Sequence, residues 1–387
     1  MTFTCHVCGS DRVELIKGYS ELGRITSDCQ PFPRPGQLTF CRNCGTAQVP
    51  INSVWLSDID QIYKEYSIYS QGGGAEQVVF ETGSGASIAR SDRLVERLLS
   101  TLQLSPSGRL LDIGCGNGAF LRAFRRRITG WTLMGTEVND RYRAEVEIIP
   151  GATPHLGELP VDSGRFQLVS MIHVLEHIPY PGEFLERVWH TLDESGVLFV
   201  QVPDYVSNPF ELMIADHATH LCFSSAQRLV CRLNFELITA TTDWVSKEIS
   251  IVAHKVTARR PIDIEESSAE KLALLESRVR WLGAIVSQVR RLAGNGAIGL
   301  FGTSIAASWV FGHCQQDISF FVDEDRNRAG KMHFGRPVYH PVDAPRDCPV
   351  LVALAPEVAR SVVTRLGRTA MQWVMPQEIG LYNSGNA

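Results

Sequence analysis

Residues 109–121 read RLLDIGCGNGAFL. A short apolar run stops at an acid and meets three glycines, Gly114, Gly116 and Gly118. An apolar run of this length, flanked by glycine, reads as a buried parallel strand. AFLRAFRRR behind the glycines reads as a helix. Strand, glycine turn and helix bring backbone N–H groups to a ligand at a helix N-terminus. That unit commits the centre of the chain to a Rossmann-like α/β sheet.

The acid at the turn narrows the ligand. A carboxylate at Asp112 repels a dinucleotide pyrophosphate and welcomes a cationic amino-acid group. Glu137 closes the next strand, WTLMGTE, where its carboxylate can accept hydrogen bonds from two ribose hydroxyls. The segment resembles the cofactor site of class I S-adenosylmethionine-dependent methyltransferases. The resemblance covers roughly residues 107–240 and runs on through GELPVDSGRFQLVSMIHVLEHIPYPGEFLERVWHTLDESGVLFVQVP. It implies S-adenosyl-L-methionine (SAM) held by Asp112, Gly114, Cys115, Gly116, Gly118 and Glu137. It also implies an adenine contact near Gly157, Glu158 and Leu159, and a strand FQLVSM ending over the cofactor. The HVLEH signature at 173–177 puts His173 on the cofactor side, with His177 packed and hydrogen-bonded. A helix over 181–192 and the strand GVLFVQVP complete the pattern.

The N-terminus adds a metal motif. Cys5-His-Val-Cys8-Gly and Cys41-Arg-Asn-Cys44-Gly are two CxxCG knuckles. Two-residue spacing turns both thiolates of a pair toward one ion, and four thiolates close a tetrahedral zinc site. A catalytic zinc keeps a position open, so four cysteines point to structural Zn(2+). His6 and Cys29 are spare. The tight pairing argues for a metal in a reducing, cytoplasmic compartment rather than a disulfide framework.

Composition sets outer limits. The chain has 387 residues, 44% hydrophobic and 20% charged, with a net charge of -5. That length calls for two or three domains. The acidic total supports no general pull on nucleic acid. The basic run RAFRRR (122–127) sits on the helix after the glycine turn and reads as a solvated face. No apolar stretch reaches transmembrane length, which argues against a membrane partner.

The flanks complete the domain plan. Residues 1–60 form a zinc-binding domain and 61–255 the methyltransferase domain with a helical lead-in. A linker helix lies in 256–292, followed by a C-terminal Rossmann-like α/β domain over 293–387. IARSDRLVERLLSTL predicts a helix at about 88–102. The three-and-four spacing of Leu272, Leu275, Val279, Leu282 and Val286 predicts one over about 265–292, buried on one face. It packs between domains or serves a homodimer contact. GAIGLFGTSIAASW (296–309) repeats the strand–glycine–helix order, and ISFFVDED ends another strand near Asp323. Zinc domain, methyltransferase core and second α/β unit together resemble the nucleotide-sugar C-methyltransferases. That resemblance implies a nucleotide-linked 4-keto sugar as small-molecule acceptor, methylated on the carbon beside its carbonyl.

The remaining chemistry lies in ADHATHLCFS (215–224). The stretch follows the strand ending QVPDY, in the kind of connection where doubly wound folds place their chemistry. His220 aligns with a family histidine. It is the first candidate for the base that removes the acceptor proton, and His217 is the second. Asp216 or Glu176 can orient an imidazole by accepting its far N–H. Tyr66 and Tyr69 follow the family spacing for hydroxyls that stabilise an enolate, and Tyr63 lies beside them. Ser224 or Ser225 suits the N-cap of the next helix. The family's histidine–glutamate–histidine run is replaced here by His217-Ala-Thr-His220. O- or N-methylation of a sugar or related metabolite is therefore the alternative, with RNA or protein methylation and an inactive scaffold behind it.

Overall fold

The structure is a computed structural model that describes residues 3–66, 78–80, 87–160, 162–258, 268–294, 296–367 and 371–378. Its centre is a seven-stranded sheet. We label the strands β1 (Gly108–Ile113), β2 (Trp131–Glu137), β3 (Ala152–Leu156), β4 (Phe166–Ile172), β5 (Leu192–Pro203), β6 (Phe235–Thr241) and β7 (Glu248–Lys255). Their spatial order is β3-β2-β1-β4-β5-β7-β6. The pairs from β3 through β5 are parallel, and β7 runs antiparallel to both neighbours.

Two adjacent residues of a strand point to opposite faces, so a sheet covered on both sides needs an unbroken apolar run. Leu110, Leu168 and Phe199 face Leu94, Leu98, Phe120 and Phe124 on helices Arg90–Thr101 and Ala119–Arg127. Their neighbours Leu111, Val169 and Val200 face Leu185, Val188, Leu229 and Val230 on helices Pro181–Thr191 and Phe223–Cys231. The chain leaves β1 toward β2 and β3, then crosses back to β4. The strand order reverses there, and in sheets of this kind ligands bind beyond the carboxyl ends of the strands at the reversal, here β1 and β4.

The expected helices form with small end shifts, Arg90–Thr101 and Ser268–Ala293 among them. One cap differs from expectation. Helix Phe223–Cys231 begins on Cys222, and Ser225 sits one turn in, where its Oγ accepts the Cys222 N–H at 2.9 Å. The serine closes a capping box from inside the helix rather than heading it.

The N-terminal segment is a small ribbon that does not stand alone. Strands Val13–Leu15, Thr39–Cys41 and Ala47–Gln48 are joined by a fourth, Thr219–His220, from the loop beyond β5. Thr219 pairs with Gln48 and His220 with Ala47. The C-terminal unit is a six-stranded sheet built around Ile298–Phe301, with parallel partners Ile318–Val322 and Pro349–Leu351. Helices Ile305–His313 and Pro356–Leu366 follow its strands. Tyr19 and Phe40 of the ribbon, Phe210 and Met213 of the post-β5 loop, Trp281 and Leu282 of the long helix, and Trp309 and Phe321 belong to one apolar cluster. Among the described residues no helix is long and apolar enough to cross a membrane.

Candidate functional site

The glycine turn forms at the end of β1. Gly114 and Gly118 both have left-handed backbone, at φ +65° and +78°. A Cβ on Gly114 would come within 2.5 Å of Val174 Cγ2, and one on Gly118 within 2.7 Å of Ile149 Cδ1. Glycine is needed at both positions for conformation and for space. Cys115 is buried against Gly135, its N–H bonded to the Thr136 carbonyl.

Two acids bracket this turn. Asp112 is 2% exposed and accepts a hydrogen bond from Ser170 Oγ at 2.7 Å across the β1–β4 pair. Burial pushes its carboxyl up to about 7, and the Ser170 hydroxyl pulls the other way. Glu137 accepts the Gly116 N–H at 2.6 Å and the Val138 N–H at 3.2 Å. Burial raises its pKa against those two bonds. Beside it a shallow recess, open to solvent, is lined by Cys115, Gly116, Glu137, Asn139, His155 and Leu156. Leu159 is buried, whereas Glu158 points to solvent, 87% exposed and paired with Arg187 at 2.6 Å. His173 stands just past β4 with φ +55°. Its Nδ1 lies 3.3 Å from Glu176 and its Nε2 3.2 Å from Glu248. The basic run behind the turn is used locally. Arg122 bonds the Asn117 carbonyl, Arg125 those of Thr129 and Trp131, and Arg126 pairs with Asp92.

The four cysteines of the ribbon converge. Cys5 and Cys44 Sγ are 3.6 Å apart, as are Cys8 and Cys41 Sγ, and all four sulfurs lie within 4.8 Å of one another. A tetrahedral ion with Zn–S bonds of about 2.3 Å needs S···S edges of about 3.8 Å, which this cluster nearly meets. Gly9 and Gly45, at φ +74° each, turn the chain behind the knuckles. His6 lies outside the cluster and joins Thr219 Oγ1 at 2.8 Å. Cys29 is not part of the cluster either.

The histidine pocket is assembled from three segments. The short turn Leu175–His177 follows β4, and residues 211–220 follow β5. Ser27 arrives from the ribbon's proline-rich loop. Asp216 accepts the Ser27 N–H at 2.8 Å and the Ser27 hydroxyl at 2.5 Å. That hydroxyl also lies 3.2 Å from Tyr66 Oη. On its other side Asp216 faces His177 Nδ1, 3.4 Å away to Oδ2 and 3.1 Å to the main-chain oxygen. Tyr63 Oη also reaches that nitrogen at 3.2 Å. Burial alone would lower the His177 pKa, but Asp216 holds it above the ordinary value. Asp216 is itself held down by His177 and Ser27 against the effect of burial.

His217 and His220 are both buried. The His217 ring packs edge-on against His177, centroids 4.6 Å apart, with Nδ1 3.7 Å from Glu211 Oε2. His220 is 2% exposed and neither ring nitrogen has a hydrogen-bond partner among the described residues. Burial pushes its pKa down to about 3, with the nearby Glu211 carbonyl acting weakly in the opposite direction. Asp216 thus orients His177 rather than His217 or His220. Tyr66 enters this network through Ser27, and Tyr69 lies outside the described residues. The residues that sequence reasoning undervalued are His177, which joins the pocket, and Ser27 and Glu211. Nothing in the local pattern around Ser27 signals that it meets a residue 189 positions later.

A family model described as a methyltransferase domain matches residues 87–239. Among curated relatives, trans-aconitate 2-methyltransferase of Deinococcus radiodurans is 29% identical over 117 residues, 30% of this chain and 42% of that protein. Ubiquinone biosynthesis O-methyltransferase of Caulobacter sp. (strain K31) is 32% identical over 101 residues, 24% of this chain and 39% of that protein. Ribosomal RNA small subunit methyltransferase C of Pseudomonas syringae pv. syringae is 34% identical over 102 residues, 25% of this chain and 29% of that protein. The chain therefore spans less than half the length of these relatives. The matched segment carries the parallel strands β1 to β5 and the acid-flanked glycine turn at their switch point. Residues 87–239 are a class I S-adenosylmethionine-dependent methyltransferase domain.

Proposed function

We propose that the chain methylates a small-molecule acceptor whose reacting atom enters the histidine pocket beyond β4 and β5. One observation carries this reading. The acid-flanked glycine turn after β1 and the cluster of His177, Asp216 and His217 after β4 and β5 lie at the carboxyl ends of neighbouring parallel strands of one sheet. When bound, SAM supplies an electrophilic methyl group. Asp112 and Glu137 offer negative charge to a cationic, hydroxyl-bearing ligand, and Gly114 and Gly118 leave its approach clear. His220 accepts the acceptor proton, with His217 as the second candidate. Its imidazole is neutral, with both ring nitrogens without hydrogen bonds among the described residues, while burial also weakens it as a base. Tyr66 supplies a hydroxyl toward a developing oxyanion, and Asp216 fixes the histidine turn. The four cysteines hold a structural zinc ion.

The acceptor we favour is a nucleotide-linked keto sugar, methylated on carbon beside the carbonyl. The C-terminal α/β unit supports it. Gly302 turns at φ +86° after the first strand of that unit. Thr303 Oγ1 donates to Asp323 at 2.7 Å and accepts from Arg328 at 3.0 Å. Methylation on oxygen is the second reading, favoured by the similarity to a ubiquinone biosynthesis O-methyltransferase.

Calorimetry with SAM tests the first claim, and absence of saturable binding would overturn it. For the acceptor, a nucleotide-linked 4-keto sugar is incubated with the protein in heavy water. Deuterium is expected beside the carbonyl, and lost in His220→Ala. Turnover of a substrate with that C–H bond intact assigns the chemistry to oxygen.

A further inference from the structure

We propose that Glu176, His177 and His217 form a second metal centre that binds one first-row divalent transition-metal ion at the wall of the acceptor pocket. One ligand atom from each residue lies within 4.8 Å of the other two. Glu176 and His177 share the turn Leu175–His177, and His217 comes from the loop after β5, held to it by the backbone. The Ala218 N–H donates to the Glu176 carbonyl at 2.7 Å, so the turn after β4 and the loop after β5 cannot drift apart.

Glu176 gives the independent sign of a missing ligand. The residue is 1% exposed, and neither carboxylate oxygen has a hydrogen-bond partner among the described residues. His173 Nδ1 forms an ion pair with Oε1 at 3.3 Å, outside hydrogen-bond geometry, and Oε2 has no hydrogen bond among the described residues. A buried carboxylate oxygen without a hydrogen bond is costly, and a cation bound at Oε2 offsets that cost. Each histidine is also backed by an acid. His177 turns Nδ1 to Asp216, leaving Nε2 for an ion, and His217 has its Nδ1 3.7 Å from Glu211. A carboxylate behind a ligating histidine fixes its tautomer and strengthens it as a donor.

The donor set selects the metal class. Two imidazoles and one carboxylate suit zinc, iron(II) or cobalt(II), whereas magnesium and calcium favour oxygen-only sets. Three protein ligands leave a coordination position open. In the proposed reaction that position receives a carbonyl or hydroxyl oxygen of the acceptor, which the ion polarises as a Lewis acid. This last step rests on the methyltransferase reading; binding of the ion does not.

The full-length protein is loaded with Zn2+, freed of loose metal and analysed for zinc per chain by mass spectrometry. Two equivalents are expected, falling to one in Glu176→Gln and in His217→Ala. One equivalent in the wild type, or two retained in both variants, would overturn the proposal. Titration of the wild type with Co2+ gives a reading independent of variant folding. The four thiolates give sulfur-to-cobalt charge transfer, and a further equivalent is expected to bind without it. Saturation at the thiolate-bound equivalent alone counts against the second centre. SAM binding is followed in the same samples by calorimetry. Its absence defeats the methyltransferase reading and leaves the metal count standing.

Discussion

A carboxyl pushed up to about 7 inside a cofactor turn has a measurable consequence. In the free protein Asp112 is increasingly neutral below pH 7, whereas a cationic ligand favours its carboxylate. Binding at lower pH must therefore expel a proton. The SAM dissociation constant should rise as pH falls through 7, by up to about tenfold per unit, and stay level above it. Asp112→Asn should bind weakly with little dependence across that range. Calorimetry at a series of pH values checks both. Glu137 leads to a second expectation. It already ties down the Gly116 N–H, so Glu137→Gln should weaken SAM binding by about ten- to a hundredfold while the fold holds. Circular dichroism and calorimetry on one sample separate the two effects. The acids, the glycines and the cysteine pairs were legible because each is a local pattern with a local reason. Ser27 on Asp216, and Asp216 on His177 rather than on its neighbour His217, were not legible. Those contacts depend on how distant loops meet, which residue spacing does not encode.

At the scale of elements, the two-residue strand Thr219–His220 has consequences beyond its length. It completes the ribbon sheet and carries His220 into the pocket. His6 joins Thr219 from within the first knuckle. Loss of the metal from the cysteine cluster should therefore be felt in the histidine pocket. Hydrogen exchange should accelerate at amides 215–222 after chelation or in Cys41→Ser, while amides of β1 and β4 stay protected. Equal exchange in both states would show that the ribbon edge holds without metal. The sequence makes the ribbon and the loop visible as separate motifs. Their pairing joins residues about 170 positions apart, so neither hydrophobic period nor turn chemistry announces it. The helix that follows also shows the limit of local rules. Serine was expected to head it, but Cys222 occupies the N-cap while Ser225 closes the box from within.

For the whole molecule, the three units share one apolar cluster, so their stabilities are coupled. Trp309 of the last unit donates from Nε1 to the Gly23 carbonyl of the ribbon at 2.7 Å. Trp281 donates to the Gln377 carbonyl at 2.7 Å, and Tyr19 Oη to that of Leu212 at 2.7 Å. Trp309 is 1% exposed, and Trp309→Ala should cost about 3–5 kcal/mol. Urea unfolding should show the loss in signals from both the ribbon and the last unit. Truncation before residue 268 should leave Phe210, Leu212 and Met213 bare and favour aggregation, visible by light scattering. The strand–glycine–helix repeats made both α/β units readable from sequence. Their fusion through a common core was not, because an apolar face carries no label for its partner.

The borrowed edge strand also bears on biosynthesis. A ribosome releases the two CxxC knuckles long before residues 219–220 leave the exit tunnel. Until then the edge at Ala47–Gln48 has no strand from this chain to cover it. Early loading of the knuckles would leave that edge open to stray pairing with other nascent polypeptides, so final closure of the N-terminal module awaits translation of a segment about 170 residues downstream.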